Sequence, residues 1–88
     1  MLPNEIHPGD FLIDLLDDRG ISQSALARHI KVAPGVINLI CMGKRGISAV
    51  MSKKLARALG TDVELWINLQ TSYDLTQAED PEFGKMRA

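Results

Sequence analysis

The chain has one cysteine, Cys41, in 88 residues. An internal disulfide is thereby excluded, and a lone thiol suits a reducing, cytoplasmic compartment. No apolar run approaches the roughly 18 residues that a membrane-crossing helix requires, so no membrane partner is expected. The N-terminus has no basic stretch leading into an apolar core, so no secretory signal is expected. Repeats and low-complexity segments are absent. The two histidines, His7 and His29, lie far apart without metal-like spacing and are expected on the exposed surface. Gly43-Lys44-Arg45-Gly46 lacks the preceding glycine and the Ser or Thr after lysine that a nucleotide phosphate loop uses. The aspartates of the first helical segment are spread around it rather than paired. With no acid–base constellation and no base beside a nucleophile, the chain reads as a non-enzyme without metal or cofactor.

Carboxylates are missing from the middle of the chain. Residues 1–18 hold five of them (Glu5, Asp10, Asp14, Asp17 and Asp18) and no Lys or Arg. Residues 19–61 hold eight Lys and Arg and no carboxylate, and residues 62–88 hold six carboxylates against Lys85 and Arg87. The formal net charge of −1 conceals this arrangement. A basic stretch of 43 residues without an acid suggests a surface that meets a polyanion.

What is present is helical periodicity, in five segments. Pro8 suits the first position of helix 1, because its missing N–H needs no partner there. Phe11, Leu12, Leu15 and Leu16 form its core face, Asp10 complements its dipole, and Gly20 stops it. Ser22 caps helix 2, which carries Leu26, Ala27 and Ile30 inward to about His29. Lys31-Val32-Ala33 is a tight turn. Pro34 opens helix 3, with Ile37, Ile40 and Cys41 inward and an end near Gly43. Ser48 caps helix 4, whose stripe is Met51, Leu55, Ala58 and Leu59 before Gly60. Thr61-Asp62-Val63-Glu64 fits a capping box for helix 5. That helix carries Leu65, Trp66, Leu69 and Tyr73, with Trp66 expected to pack it onto helices 1 and 4. From Ala78 the sequence turns polar, so a domain over 1–78 and a frayed tail over 79–88 are expected.

Residues 22–42 combine two short helices and a three-residue turn. So short a turn forces a steep crossing, which needs a small residue at the contact, and Ala27 supplies it. Ile30, Val32, Ile37 and Ile40 fill the angle. This is the helix-turn-helix pattern, whose second helix enters the DNA major groove.

Several stretches resemble a known family in the right order. They are His7-Pro8-Gly9-Asp10, Ser22 to Arg28, Gly43-Lys44-Arg45-Gly46-Ile47-Ser48, Leu55 to Gly60, Glu64 to Gln70, and Tyr73-Asp74-Leu75. The chain is identified on these as similar to the HigA-type antitoxins of the lambda-repressor-like (XRE) helix-turn-helix superfamily. The resemblance implies an all-α, five-helix DNA-binding domain and a homodimer on palindromic operator DNA. It implies an antitoxin of a type II toxin–antitoxin system that represses its own operon and neutralises a toxin, usually an mRNA-cleaving protein of the RelE type. Two alternatives stay open: a stand-alone XRE regulator without a toxin, and a protein-binding adaptor that kept the fold and lost the DNA.

Site residues follow by position on this motif. Gln23 opens helix 2, where side chain and helix end can meet a phosphate. Base-reading positions fall on Ala33, Pro34, Gly35 and Asn38, with Leu39 and Met42 on the outer face. Of these, Asn38 is the good base reader, able to pair bidentately with adenine. Lys44 and Arg45 are expected to clamp phosphate, and Ser48 with the start of helix 4 to add a backbone contact. The family often has Ser, Arg or Thr where Ala33, Pro34, Gly35 and Val36 stand, so reading of thymine methyls and DNA shape is expected. Lys31 stands where a glycine is common, at a position that often needs a left-handed backbone. Leu65, Ile67 and Leu75 broaden the apolar arc of helix 5 and predict a twofold dimer there. The acidic stretches 1–18 and 74–82 suit a basic toxin.

Overall fold

The structure is a computed structural model and describes residues 6–87. Glu5 of the acidic N-terminal block and Ala88 of the tail lie outside the described residues. Five helices follow one another: α1 (Pro8–Arg19), α2 (Gln23–Ile30), α3 (Pro34–Cys41), α4 (Ala49–Leu59) and α5 (Val63–Gln77). Among the described residues there is no strand, as the all-α expectation required.

Local chemistry selects the helix starts. Ser22 Oγ accepts the Ala25 N–H at 3.0 Å, and Ser48 Oγ accepts the Met51 N–H at 3.1 Å. Each satisfies an N–H that the helix leaves without an internal partner. His7 does the same for α1, with Nδ1 accepting the Gly9 N–H at 2.8 Å. This corrects the expectation of a surface histidine. His7 is buried, and its ring meets Tyr73 of α5 edge-on at 4.7 Å between centroids. His29 is exposed as expected.

The capping box before α5 does not form. Asp62 is the N-cap and makes no side-chain cap bond. Thr61 Oγ1 instead accepts Trp66 Nε1–H at 2.8 Å. The physical reason is burial: the Trp66 side chain is enclosed, and an indole N–H without a partner there costs more than helix-end N–H groups that water reaches.

α1 and α4 end on Gly20 and Gly60 in the left-handed region, while α2 ends on Lys31 with φ +63°. The chain therefore enters the turn through a conformation that costs a lysine about 1 kcal/mol. Arg19 supplies a further helix stop. Its guanidinium donates to the Leu59 carbonyl oxygen at the end of α4, where a cation also meets the negative end of the dipole.

The core draws on every helix: Leu12 and Leu16, Leu26 and Ala27, Ile37 and Ile40, Leu55 and Leu59, and Trp66. Phe11 meets Trp66 edge-on at 5.4 Å and ties α1 to α5. α5 packs on both α4 and α1, as the placement of Trp66 implied. At Gly9 the backbones of α1 and α3 touch, and a Cβ there would overlap the Ile40 carbonyl. Cys41 faces inward, and burial pushes its thiol pKa up, leaving a protonated, unreactive core residue. Residues 79–87 carry no helix and are exposed.

Candidate nucleic-acid interface

The helix-turn-helix rests on a dry crossing. Ala27 on α2 and Ile37 and Ile40 on α3 are each 0% exposed, so the small residue at the crossing lets α3 settle against α2. Val32 caps the packing from the turn, with its N–H bonded to the Ala27 carbonyl at 3.0 Å. The opposite side of α3 is thereby left outward, and Ala33, Pro34, Gly35, Asn38, Leu39 and Met42 are all exposed.

Two of the expected contact residues are brought into direct contact. Asn38 Nδ2 donates to Gln23 Oε1 at 3.3 Å, across from the first residue of α2 to the middle of α3. The bond occupies one of the two Asn38 amide hydrogens. The other hydrogen and Oδ1 remain for a base edge, the pair that adenine N7 and N6 would use. The Gln23 amide group is left to donate to a phosphate. One bond thus orients the Asn38 and Gln23 side chains together on the outward side of the motif.

The rest of α3's leading turn carries no donor side chain. Ala33 is its N-cap and forms no side-chain cap, so the positive helix end is open to an anion. At Gly35 a Cβ would meet nothing within 4 Å, so packing does not demand glycine there. Leu39 and Met42, at 39% and 53% exposed, give the outward face its apolar character.

After α3 the chain passes through Gly43 in the left-handed region to Lys44 and Arg45, both exposed. Ile47 then turns into the core, and Ser48 caps α4 through its hydroxyl. The loop so places two cations directly beyond α3. Its backbone is held from an unexpected quarter: Ile47 N–H donates to Gln70 Oε1 on α5 at 2.7 Å.

Not every cation of the basic stretch joins this face. Arg19 is committed to the end of α4. Lys54 and Arg57 line a shallow furrow with His29, Ile30 and Ala58 between α2 and α4. His29 lies about 9 Å along α2 from Gln23, at the other end of that helix. On α5, Leu65 is half-buried against the core, while Ile67 and Leu75 are 42% and 71% exposed. His7, Thr61 and Gln70 are polar positions whose roles the sequence reading missed. For Gln70, the Asp74 four residues on was an available signal, since such pairs face each other on a helix.

Comparison with known proteins agrees with this geometry. The helix-turn-helix family matches residues 12–66. Virulence-associated protein I of Dichelobacter nodosus is 44% identical over 75 residues, covering 84% of this chain and 69% of that protein. The uncharacterized HTH-type transcriptional regulator YddM of Escherichia coli is 31% identical over 78 residues, covering 89% of this chain and 83% of its own. Among solved structures, the Pseudomonas aeruginosa antitoxin HigA with the higBA promoter has a TM-score of 0.79 at 42% identity, covering 82% of this chain and 79% of that one. Another solved structure from Pseudomonas aeruginosa, of a protein in complex with its 28-bp operator DNA, has a TM-score of 0.79 at 44% identity, covering 82% and 80%. The chain belongs to the helix-turn-helix family, among the XRE-type regulators that include the HigA antitoxins, and so to a family of DNA-binding proteins rather than enzymes.

Proposed function

We propose that this chain is a DNA-binding antitoxin of a type II toxin–antitoxin system. Two copies joined through α5, with Leu65, Ile67 and Leu75 at the contact, bind a palindromic operator as an autorepressor. Each α3 enters a major groove, with half-sites about 34 Å apart or a multiple of that. Asn38 reads a base, Gln23 anchors the backbone, and Lys44, Arg45 and Ser48 hold phosphates beyond the reading helix. Ala33, Pro34 and Gly35 bring the backbone of α3 close to the groove, where apolar contact and shape substitute for donors. The cognate toxin, a basic RelE-type mRNA-cleaving protein, is neutralised by the same chain.

The observation that carries this reading is the Gln23–Asn38 hydrogen bond on the outward side of the helix-turn-helix. Support for operator binding also comes from relatives solved with operator or promoter DNA.

The test is a gel shift of the promoter upstream of the chain's own gene, across a salt series, with co-purification of the neighbouring gene product. A salt-dependent shift and a co-purifying small basic protein are expected. Lys44→Ala with Arg45→Ala weakens binding to every duplex alike and flattens the log–log salt slope by about 2. A promoter shift without a co-purifying partner points to a stand-alone regulator. No salt-dependent shift at all sinks the DNA-binding reading in favour of the adaptor.

A further inference from the structure

The loop that carries Lys44 and Arg45 has no regular structure of its own between α3 and α4. Two anchors fix its far end. One is the Ile47 side chain, 6% exposed in the core. The other is Gln70 of α5, whose Oε1 accepts the Ile47 N–H at 2.7 Å.

Gln70 is itself held. Its Nε2 donates to Asp74 Oδ1, one turn further along α5, at 2.9 Å. A carboxylate accepts only, so it selects the amide's NH2 end and turns the oxygen toward the loop. Gly46 lies against the same amide: a Cβ there would sit 3.1 Å from Gln70 Oε1 and 3.2 Å from Cδ and Nε2. The loop backbone therefore passes flush across the carboxamide, one residue after Arg45. Asp74, Gln70 and the Ile47 N–H form a strut from α5 to the base of the cationic loop.

We infer that Gln70, oriented by Asp74, is a positioning residue for DNA binding. It sets the backbone from which Lys44 and Arg45 reach phosphate, so that the loop is ordered before DNA arrives. A loop ordered in advance does not lose that freedom on binding, and the difference is read as affinity. The inference rests on the DNA-binding reading above and adds α5 to the machinery of a contact made by a different element.

The test uses the full chain, its promoter fragment and an unrelated duplex. Gln70→Met removes both polar atoms at similar volume. Asp74→Ala removes the orienting oxygen, and Asp74→Asn restores an acceptor. Gln70→Met is expected to keep its helical circular dichroism and its sedimentation behaviour, while exchange of the Ile47 amide hydrogen quickens. Affinity for both duplexes is expected to fall about five- to tenfold, in line with one lost hydrogen bond, and the salt slope to flatten by about 1. Asp74→Ala is expected to fall between wild type and Gln70→Met, and Asp74→Asn to return to wild type. Wild-type affinity and slope in Gln70→Met, with faster Ile47 exchange, would overturn the inference. So would lost affinity at an unchanged slope, which marks a merely structural role. If Gln70→Met does not fold, Asp74→Ala carries the same readouts and the same criteria. A wild-type chain with no salt-dependent shift fails the DNA-binding reading itself and takes this inference with it.

Discussion

At Gly9 there is room for a hydrogen and nothing larger. The site is the second residue of α1, where helical propensity would favour alanine, yet a Cβ would run into the Ile40 carbonyl of α3. Gly9→Ala should therefore cost about 2–3 kcal/mol, because the two backbones must separate. Thermal denaturation should register this as a fall of more than about 10 °C, and a midpoint within a degree or two of wild type would show that the helices can part freely. Asn38 poses the opposite problem, since nothing in the fold depends on it. Exposed, and bonded only to Gln23 across the motif, it is expected to matter only to the ligand. Asn38→Ala should leave the melting curve in place and relax discrimination at one or two base pairs, by about 1–3 kcal/mol. A panel of point-mutated operators measures this, and unchanged discrimination would remove Asn38 from the reading face. Neither expectation extends to His7, whose cap on α1 and edge contact with Tyr73 make it part of the framework.

The elements are legible to different depths. Starts governed by a single side chain were readable, as Ser22, Pro34 and Ser48 show, because a cap or a missing N–H acts over a few residues. The start of α5 was not, because Thr61 answers to Trp66, and the need of an enclosed indole N–H does not appear in a capping pattern. The turn after α2 shows a strained position that the sequence flagged. Lys31 sits at φ +63° where glycine would be unstrained. Lys31→Gly should stabilise the domain by about 0.5–1 kcal/mol, the relieved strain being partly offset by the extra freedom of glycine in the unfolded chain. Urea titration decides this, and a lower midpoint would mean that the lysine stem contributes packing that outweighs the strain. α3 itself is divided: its inner side is fully specified by Ile37, Ile40 and Cys41, while its leading turn offers backbone and methyl groups rather than donors.

For the whole molecule, charge and apolar surface set the expectations. Part of the basic stretch lies away from the outward face of α3, with Arg19 bonded to the end of α4 and Lys54 and Arg57 beside the α2–α4 furrow. The salt dependence of binding should accordingly reflect fewer cations than the eight in residues 19–61. α5 has only Trp66 fully buried and leaves Ile67 and Leu75 uncovered in the single chain. Ile67→Glu with Leu75→Glu should keep the fold, dissociate the proposed dimer in sedimentation, and lower operator affinity about a hundredfold by removing the second half-site. If the double variant still sediments as the wild type does, the proposed twofold contact through Ile67 and Leu75 fails.

The sequence by itself determined the helices, their order and the inward side of the helix-turn-helix. Periodicity and caps are local, and a three-residue turn leaves two short helices little freedom in how they cross. It also brought Gln23, Asn38, Lys44 and Arg45 into consideration, because position on a rigid motif can be counted along the chain. Only the tertiary structure decided which polar groups serve the framework. His7, Arg19, Thr61 and Gln70 each bond a group that an adjoining segment or a distant helix presents, over separations of 2, 40, 5 and 23 residues. A side chain's spare hydrogen-bonding capacity belongs to whichever group the packing brings within reach, and no pattern of spacing along the chain encodes that.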